Sequence, residues 1–235
     1  MCNRYNLQYP SATIEFVMAA IKAGFLLEDI ELPPRFNVAP QSHIPVVTKA
    51  SGKVDLRPMV WGLVPAEVRG RPGQKFYTNA TREKSRVWTG FKSSAERRRC
   101  LIPANGYYEW KDVGGVKYPH FFTLRDGSPF AFAGIWEESD GKVPETVALL
   151  TTEPNRLAAS VHNRMPVVLP QELMGRWIGD EPLPDPEFEA LTAPAPEDLL
   201  VEREVNRYAS NSRHEGPQCI APPDPVAVDP QLELL

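Results

Sequence analysis

Apolar residues recur at Ile14, Val17, Met18, Ile21 and Phe25, the three-and-four spacing of one helix face. Ser11 stands where an N-cap belongs and Gly24 near a stop, so the pattern predicts an early helix. From Ile44 the texture changes to that of strands. Ile44–Thr48 and Val54–Val60 flank the turn residues Ser51, Gly52 and Lys53 and predict a hairpin. Further strands are predicted at Cys100–Ile102, Gly106–Lys111, Tyr118–Leu124, Phe130–Ile135 and Thr146–Thr152. Gly114-Gly115 and Asp126-Gly127 mark tight turns between them. Short helices are predicted at Asn155–His162, Gln171–Ile178 and Glu187–Leu191. The pattern as a whole predicts an α+β fold: a single β-rich domain with a largely antiparallel, barrel-like sheet and peripheral helices.

Composition narrows this picture. At 235 residues the chain can bury a full core, and 42% hydrophobic with 24% charged residues is ordinary for a globular protein. Twenty-five prolines, about twice the usual share, are spread through the chain and predict many fixed loops rather than one linker. Residues 1–220 read as one domain and residues 221–235 as a proline-rich acidic tail. No basic start precedes an apolar run, and no stretch of about 18 apolar residues exists, so neither signal peptide nor membrane span is expected. The three cysteines, Cys2, Cys100 and Cys219, have no paired spacing, which predicts a reduced cytoplasmic setting and no structural metal site. No cofactor is expected.

A net charge of −4 argues against a general nucleic-acid coat, so any such role must rest on a local patch. One strip qualifies: Arg82, Lys84, Arg86, Lys92, Arg97, Arg98 and Arg99, with Trp88 and Phe91 inside it and Trp61 upstream. Cations interleaved with aromatics suit single-stranded DNA, whose bases stack while its phosphates pair. The same residues suit a solvated helix face above core tryptophans, and both readings stay open.

The chemistry begins at Cys2. Without Met1 it would carry an amine with a pKa of roughly 7.7–8.0 beside a thiol near 8.5. The two could attack one aldehyde carbon and close a five-membered thiazolidine ring. A disordered terminal residue is the alternative. Asn79 is either a turn residue or an amide that orients a hydroxyl or amine. Glu109, between Tyr108 and Trp110, lies either in an apolar surround that raises its pKa or on a solvated face. His162 is a proton shuttle or a structural histidine, and Cys100 reads as a small buried hydrophobe.

Taken in order, several irregular motifs carry a resemblance. They are Met1-Cys2-Asn3-Arg4-Tyr5, Phe36-Asn37-Val38-Ala39-Pro40, Trp61-Gly62-Leu63-Val64-Pro65 and Asn79-Ala80. Arg99 through Trp110, Ala133-Gly134-Ile135-Trp136-Glu137 and His162-Asn163-Arg164-Met165-Pro166 follow. From Met1 to about Ile220 the chain resembles the SOS-response-associated peptidase family of abasic-site processing proteins. The resemblance implies a sensor of abasic sites in single-stranded DNA that crosslinks through Cys2 after Met1 removal. Asn79, Glu109 and His162 would surround the nucleophile. Pro40 and Trp61 would wedge and stack against the strand, and Arg82, Arg86, Lys92 and Arg164 would hold phosphates. Such a protein would be a monomer with DNA as partner, cytoplasmic and nucleoid-associated when bound, with possible lyase activity at an imine stage. The family commonly has arginine where this chain has Thr81, with Arg82 next to it. Val205-Asn206 and Gly216-Pro217-Gln218-Cys219-Ile220 resemble the family's closing motif, and Asn206 and Asn211 read as structural. Two rival functions remain: a cysteine-type (auto)peptidase using Cys2, His162 and Glu109, and a non-catalytic single-stranded DNA-binding module.

Overall fold

A computed structural model of the chain describes residues 2–23 and 32–225. Along the chain the first elements are β1 (Tyr5–Leu7), α1 (Pro10–Ala20), β2 (Arg35–Val38), β3 (His43–Ala50) and β4 (Lys53–Trp61). Next come β5 (Asn79–Thr81), α2 (Arg82–Ser85), α3 (Thr89–Arg97), β6 (Arg99–Ala104), β7 (Gly106–Val113) and β8 (Val116–Leu124). β9 (Phe130–Glu137), β10 (Thr146–Thr152), α4 (Arg156–Ala159), β11 (Met165–Pro166) and β12 (Val168–Leu169) follow. The last are α5 (Gln171–Trp177), α6 (Asp185–Leu191) and β13 (Leu200–Glu204).

The two predicted hairpins form for local reasons. β3 and β4 pair from His43↔Val60 to Ala50↔Lys53, leaving Ser51 (φ 50°) and Gly52 (φ 79°) as a two-residue loop. β7 and β8 close on Val113↔Val116 around Gly114 (φ 62°) and Gly115 (φ 83°). Two successive positive φ values match the right-handed twist of the flanking strands, and glycine adopts them without strain. The first helix starts one residue before the expected cap: Pro10 is its first residue, Tyr9 precedes it, and Ser11 lies inside. Proline is preset for that position, where its missing N–H costs nothing. Gly24 and Phe25 lie outside the described residues.

The α+β class holds, but the sheet is not a clean barrel. β9, β6, β3, β4 and β10 form a path that returns on itself, because β10 bonds β4 in parallel and β9 antiparallel. A second, separate sheet runs β13-β8-β7-β1-β2. Between them lies a core of Tyr5, Trp61, Tyr107, Phe122, Phe130 and Phe132. Alternate residues of the same strands face the other way. Leu101, Ala133 and Ile135 pack with Ile14, Val17, Phe91, Trp177 and Phe188 from the helices. β6, β9 and β10 are therefore buried on both faces, which explains their nearly continuous apolar sequence. A third cluster, Tyr108, Phe121, Val205, Ala209 and Cys219, covers the outside of the smaller sheet.

The triple arginine is divided by this packing. Arg97 is exposed and Arg98 pairs with Glu137, whereas Arg99 is buried. The Arg99 guanidinium donates to the carbonyls of Ala95, Glu96, Trp177, Gly179 and Glu181, tying the ends of α3 and α5 together. It is a structural cation with no phosphate to hold. Arg99→Met strands those carbonyls without a donor. The variant is expected to lose about 3 kcal/mol in urea unfolding, and a loss below about 1 kcal/mol would refute this role. At the other end, Asn206 donates to Asp224 Oδ1 at 2.9 Å and to Pro222 O, so the expected tail begins pinned to the domain. Residues 226–235 lie outside the described residues.

Candidate active site

Short β1 positions the N-terminal residues. It pairs with β7 through Tyr5↔Tyr107, and the Tyr108 N–H donates to Arg4 O at 3.0 Å. This threads Cys2 into the core between the sheets, with no exposed surface, where its Sγ donates to Arg4 O at 3.6 Å. Cys2 is an ordered, buried residue. Alternation along β7 then decides Glu109. Tyr107 faces the inter-sheet core and Tyr108 the outer cluster, so Glu109 returns to the inner face, where it is buried. Burial pushes its carboxyl up to about 7.

His162 ends the turn after α4, which Asn155 caps by accepting from the Ala158 N–H. The His162 Nδ1 lies 4.0 Å from Glu109 Oε1 and accepts from the Arg164 N–H at 3.1 Å. Burial, with Lys117 adding its charge, lowers the imidazole's pKa. The Cys2 thiol moves oppositely: burial first, then the charge of Glu109, raises it far above the usual thiol range.

Asn79 grips the segment one residue further on. Its Nδ2 donates to Asn3 Oδ1 at 3.0 Å, and Thr78 Oγ1 donates to the same oxygen at 2.8 Å. Asn79 Oδ1 is buried and receives no hydrogen bond among the described residues. Trp61 supports this grip from behind. It is fully buried against Tyr5, and its Nε1 donates to Thr78 O at 2.8 Å. The indole faces the core, so stacking on DNA would require it to leave. Pro40 is half-buried on the adjoining turn, where the Gln41 N–H donates to Trp61 O.

A cleft of about 730 Å³ opens over these groups, lined by Asn3, Arg4, Glu109, Trp110, Lys117 and His162, with Arg207 and Ser210 at one side. Its cations Arg4, Lys117 and Arg207 belong to no basic run, and no local pattern marks the last two. Arg4 lies 5.5 Å from the Trp110 ring centre and donates to Asn37 Oδ1. Asn37 in turn donates to the carbonyls of Ala209, Asn211 and His214. The closing segment thereby fixes the cleft's arginine. Asn206 caps the turn carrying Arg207 by accepting from the Tyr208 N–H.

Of the residues expected to hold phosphates, the arginines are all paired. Arg82 pairs with Glu153 and Glu189, Arg86 with Asp185, and Arg164 with both oxygens of Glu83. Any of them would have to give up a carboxylate to meet a phosphate. Lys92 is exposed on α3. Thr81 caps α2, its Oγ1 accepting from the Lys84 N–H, a duty arginine could not perform. Among the described residues no group of His, Cys, Asp and Glu could hold a metal ion, and no helix is long and apolar enough to cross a membrane.

The chain is 28% identical over 225 residues to abasic site processing protein YoqW of Bacillus subtilis, covering 94% of this chain and 99% of that one. It is 26% identical over 234 residues to mouse abasic site processing protein HMCES, covering 81% of this chain and 65% of that protein. A solved structure from Bacteroides thetaiotaomicron has the same fold, with a TM-score of 0.76 at 21% identity over 94% of this chain and 99% of that one. The profile of the SOS response associated peptidase (SRAP) family matches residues 1–212, nearly the whole length over which these strands and loops are assembled, and the chain belongs to that family.

Proposed function

We propose that this protein senses abasic sites in single-stranded DNA and bonds to them covalently through Cys2 once Met1 has been removed. The observation that carries the reading is a cationic cleft walled by Asn3 and Arg4, the residues that follow buried Cys2, and by a carboxyl raised to about 7 and an imidazole lowered below its usual range. Two titratable groups shifted in opposite directions, so that a protonated carboxyl and a neutral imidazole coexist near neutral pH, suit separate acid and base duties. The names of YoqW and HMCES, both abasic site processing proteins, support the substrate class.

An opened abasic sugar presents an aldehyde at C1′. The Cys2 amine adds to that carbon, and neutral His162 accepts the ammonium proton and returns it to the new alkoxide oxygen, leaving a hydroxyl. Protonated Glu109 donates to the departing hydroxyl, so water leaves and an iminium forms. The Cys2 sulfur then adds to the same carbon and its proton passes to the carboxylate. One C–N and one C–S bond form, and one water is released. Asn79 holds the Asn3 segment in place, and its buried Oδ1 can accept from a sugar hydroxyl or the amine. The raised thiol pKa favours this order: a neutral thiol is a poor first nucleophile, which also speaks against a thiolate peptidase. The imine stage also allows β-elimination unless ring closure outruns it.

The test is a denaturing gel of the protein mixed with abasic and with intact oligonucleotide. An adduct is expected with the abasic strand alone, and intact mass of the purified protein should show Met1 missing. A retained Met1 with an adduct of the same yield would overturn the amine's role. Turnover of a fluorogenic peptide without any adduct would favour the hydrolase.

A further inference from the structure

A second concavity of about 380 Å³ adjoins the candidate active site, lined by Tyr77, Asn79, Thr81, Lys84, Trp88 and Phe91. Asn79 links the two: its Nδ2 donates to Asn3, which lines the first cleft, and Asn79 itself lines this one. The three aromatics meet edge to face, with ring centres 5.2 Å apart for Tyr77 and Trp88, 5.4 Å for Tyr77 and Phe91, and 4.4 Å for Trp88 and Phe91. Trp88 nevertheless keeps 36% of its surface exposed. A β-carbon at Gly90 would come within 2.6 Å of the Trp88 ring, so the glycine is what lets the indole lie there. Lys84 reaches the same concavity and forms no ion pair among the described residues, unlike Arg82, Arg86 and Arg164.

An aromatic wall and a free cation are the elements that hold one base and its phosphate. Continuity through Asn79 makes the occupant part of the strand that reaches Cys2. We propose that Tyr77, Trp88 and Phe91, with Lys84 at the rim, form a subsite for the base of one nucleotide neighbouring the reacting sugar. Lys84 holds that nucleotide's phosphate, the work that Thr81 cannot do while it caps α2. The proposal rests on single-stranded DNA lying in the first cleft, as argued above.

The test measures binding of intact single-stranded DNA by fluorescence anisotropy and adduct formation with abasic strands. Trp88→Ala is expected to weaken binding about tenfold, with half-saturation of crosslinking raised by the same factor and the rate at saturation unchanged. Lys84→Ala should make the plot of log affinity against log salt shallower by roughly 0.7, the contribution of one phosphate on a single strand. Gly90→Ala, which displaces the indole without removing it, should reproduce the Trp88→Ala loss in part. Replacing the base on one side of the abasic site with a baseless spacer should cost the wild type about tenfold and Trp88→Ala nothing.

If the wild type crosslinks normally while Trp88→Ala and Lys84→Ala bind every strand like it, the subsite is refuted and the crosslinking reading stands. If no adduct forms yet Trp88→Ala still loses affinity for intact strands, the subsite stands and the crosslinking reading fails. A free deoxynucleoside monophosphate that competes as well as the strand would overturn assignment to a DNA neighbour.

Discussion

Cys2→Ala is expected to abolish the adduct that survives heating in denaturant. It is also expected to leave a trace of the reaction behind. The alanine variant still begins with a small second residue, so Met1 removal remains possible and an α-amine remains to attack C1′. What it lacks is the sulfur that converts the iminium into a saturated ring. The imine therefore stays reversible: it hydrolyses, or it loses the 3′ phosphate by β-elimination. Borohydride added during the reaction should trap a protein–DNA adduct with Cys2→Ala, and strand breakage at the abasic site should rise above that of the wild type. Folding is not the explanation, because exchanging a buried thiol for a methyl is expected to cost about 1 kcal/mol. An adduct of Cys2→Ala that resists denaturation without any reductant would sink the thiazolidine mechanism. A variant that gives no trapped imine and no cleavage would instead show that the thiol, not the amine, makes the first attack.

Why this residue could be singled out before its surroundings were known is a matter of local against distant information. Cys2 is chemically distinctive by position, and turns such as Ser51-Gly52 and Gly114-Gly115 declare themselves because two positive φ values need those residues. The long strands are legible for the same reason: their alternation or continuous apolar character follows from which faces are buried. β1 and β2, at three and four residues, are too short to carry a period, yet they place Cys2 and Asn37. Glu109 could not be assigned a face from its neighbours, because Tyr107 and Tyr108 are both fully buried, one in each of two cores. The run Arg97-Arg98-Arg99 looks uniformly cationic, while only the docking of α5 turns Arg99 inward. Lys117 and Arg207 reach the cleft from strand and turn segments that pair only in the folded chain. Composition near a residue predicts its element; long-range pairing decides what it faces.

Glu109 carries the second large effect, in which activity and stability should move in opposite directions. Burial holds its carboxyl at about 7 against an ordinary 4.5, so the folded protein binds this proton more tightly than the unfolded chain does. A raised carboxyl contributes stability that is fully present below 4.5 and lost as pH rises through about 7. The separation of those two values corresponds to about 3 kcal/mol. Glu109→Gln keeps the size and a hydrogen-bonding amide but never ionises. Its stability in urea, relative to wild type, should therefore rise by about 2 to 3 kcal/mol between pH 5 and pH 8.5. Below about pH 7, where the wild-type carboxyl keeps its proton, the variant's rate of adduct formation should be lower by about a hundredfold or more, the usual contribution of a positioned acid. The wild-type rate should also decline on the alkaline side of about 7, where the carboxyl has lost the proton it donates to the departing hydroxyl, and the variant should lack that inflection. A Glu109→Gln protein that crosslinks at the wild-type rate would remove the carboxyl from the chemistry. One that is slow but shows no pH-dependent gain in stability would show that the carboxylate is already ionised in the folded state, and the acid role would then have to pass to another group.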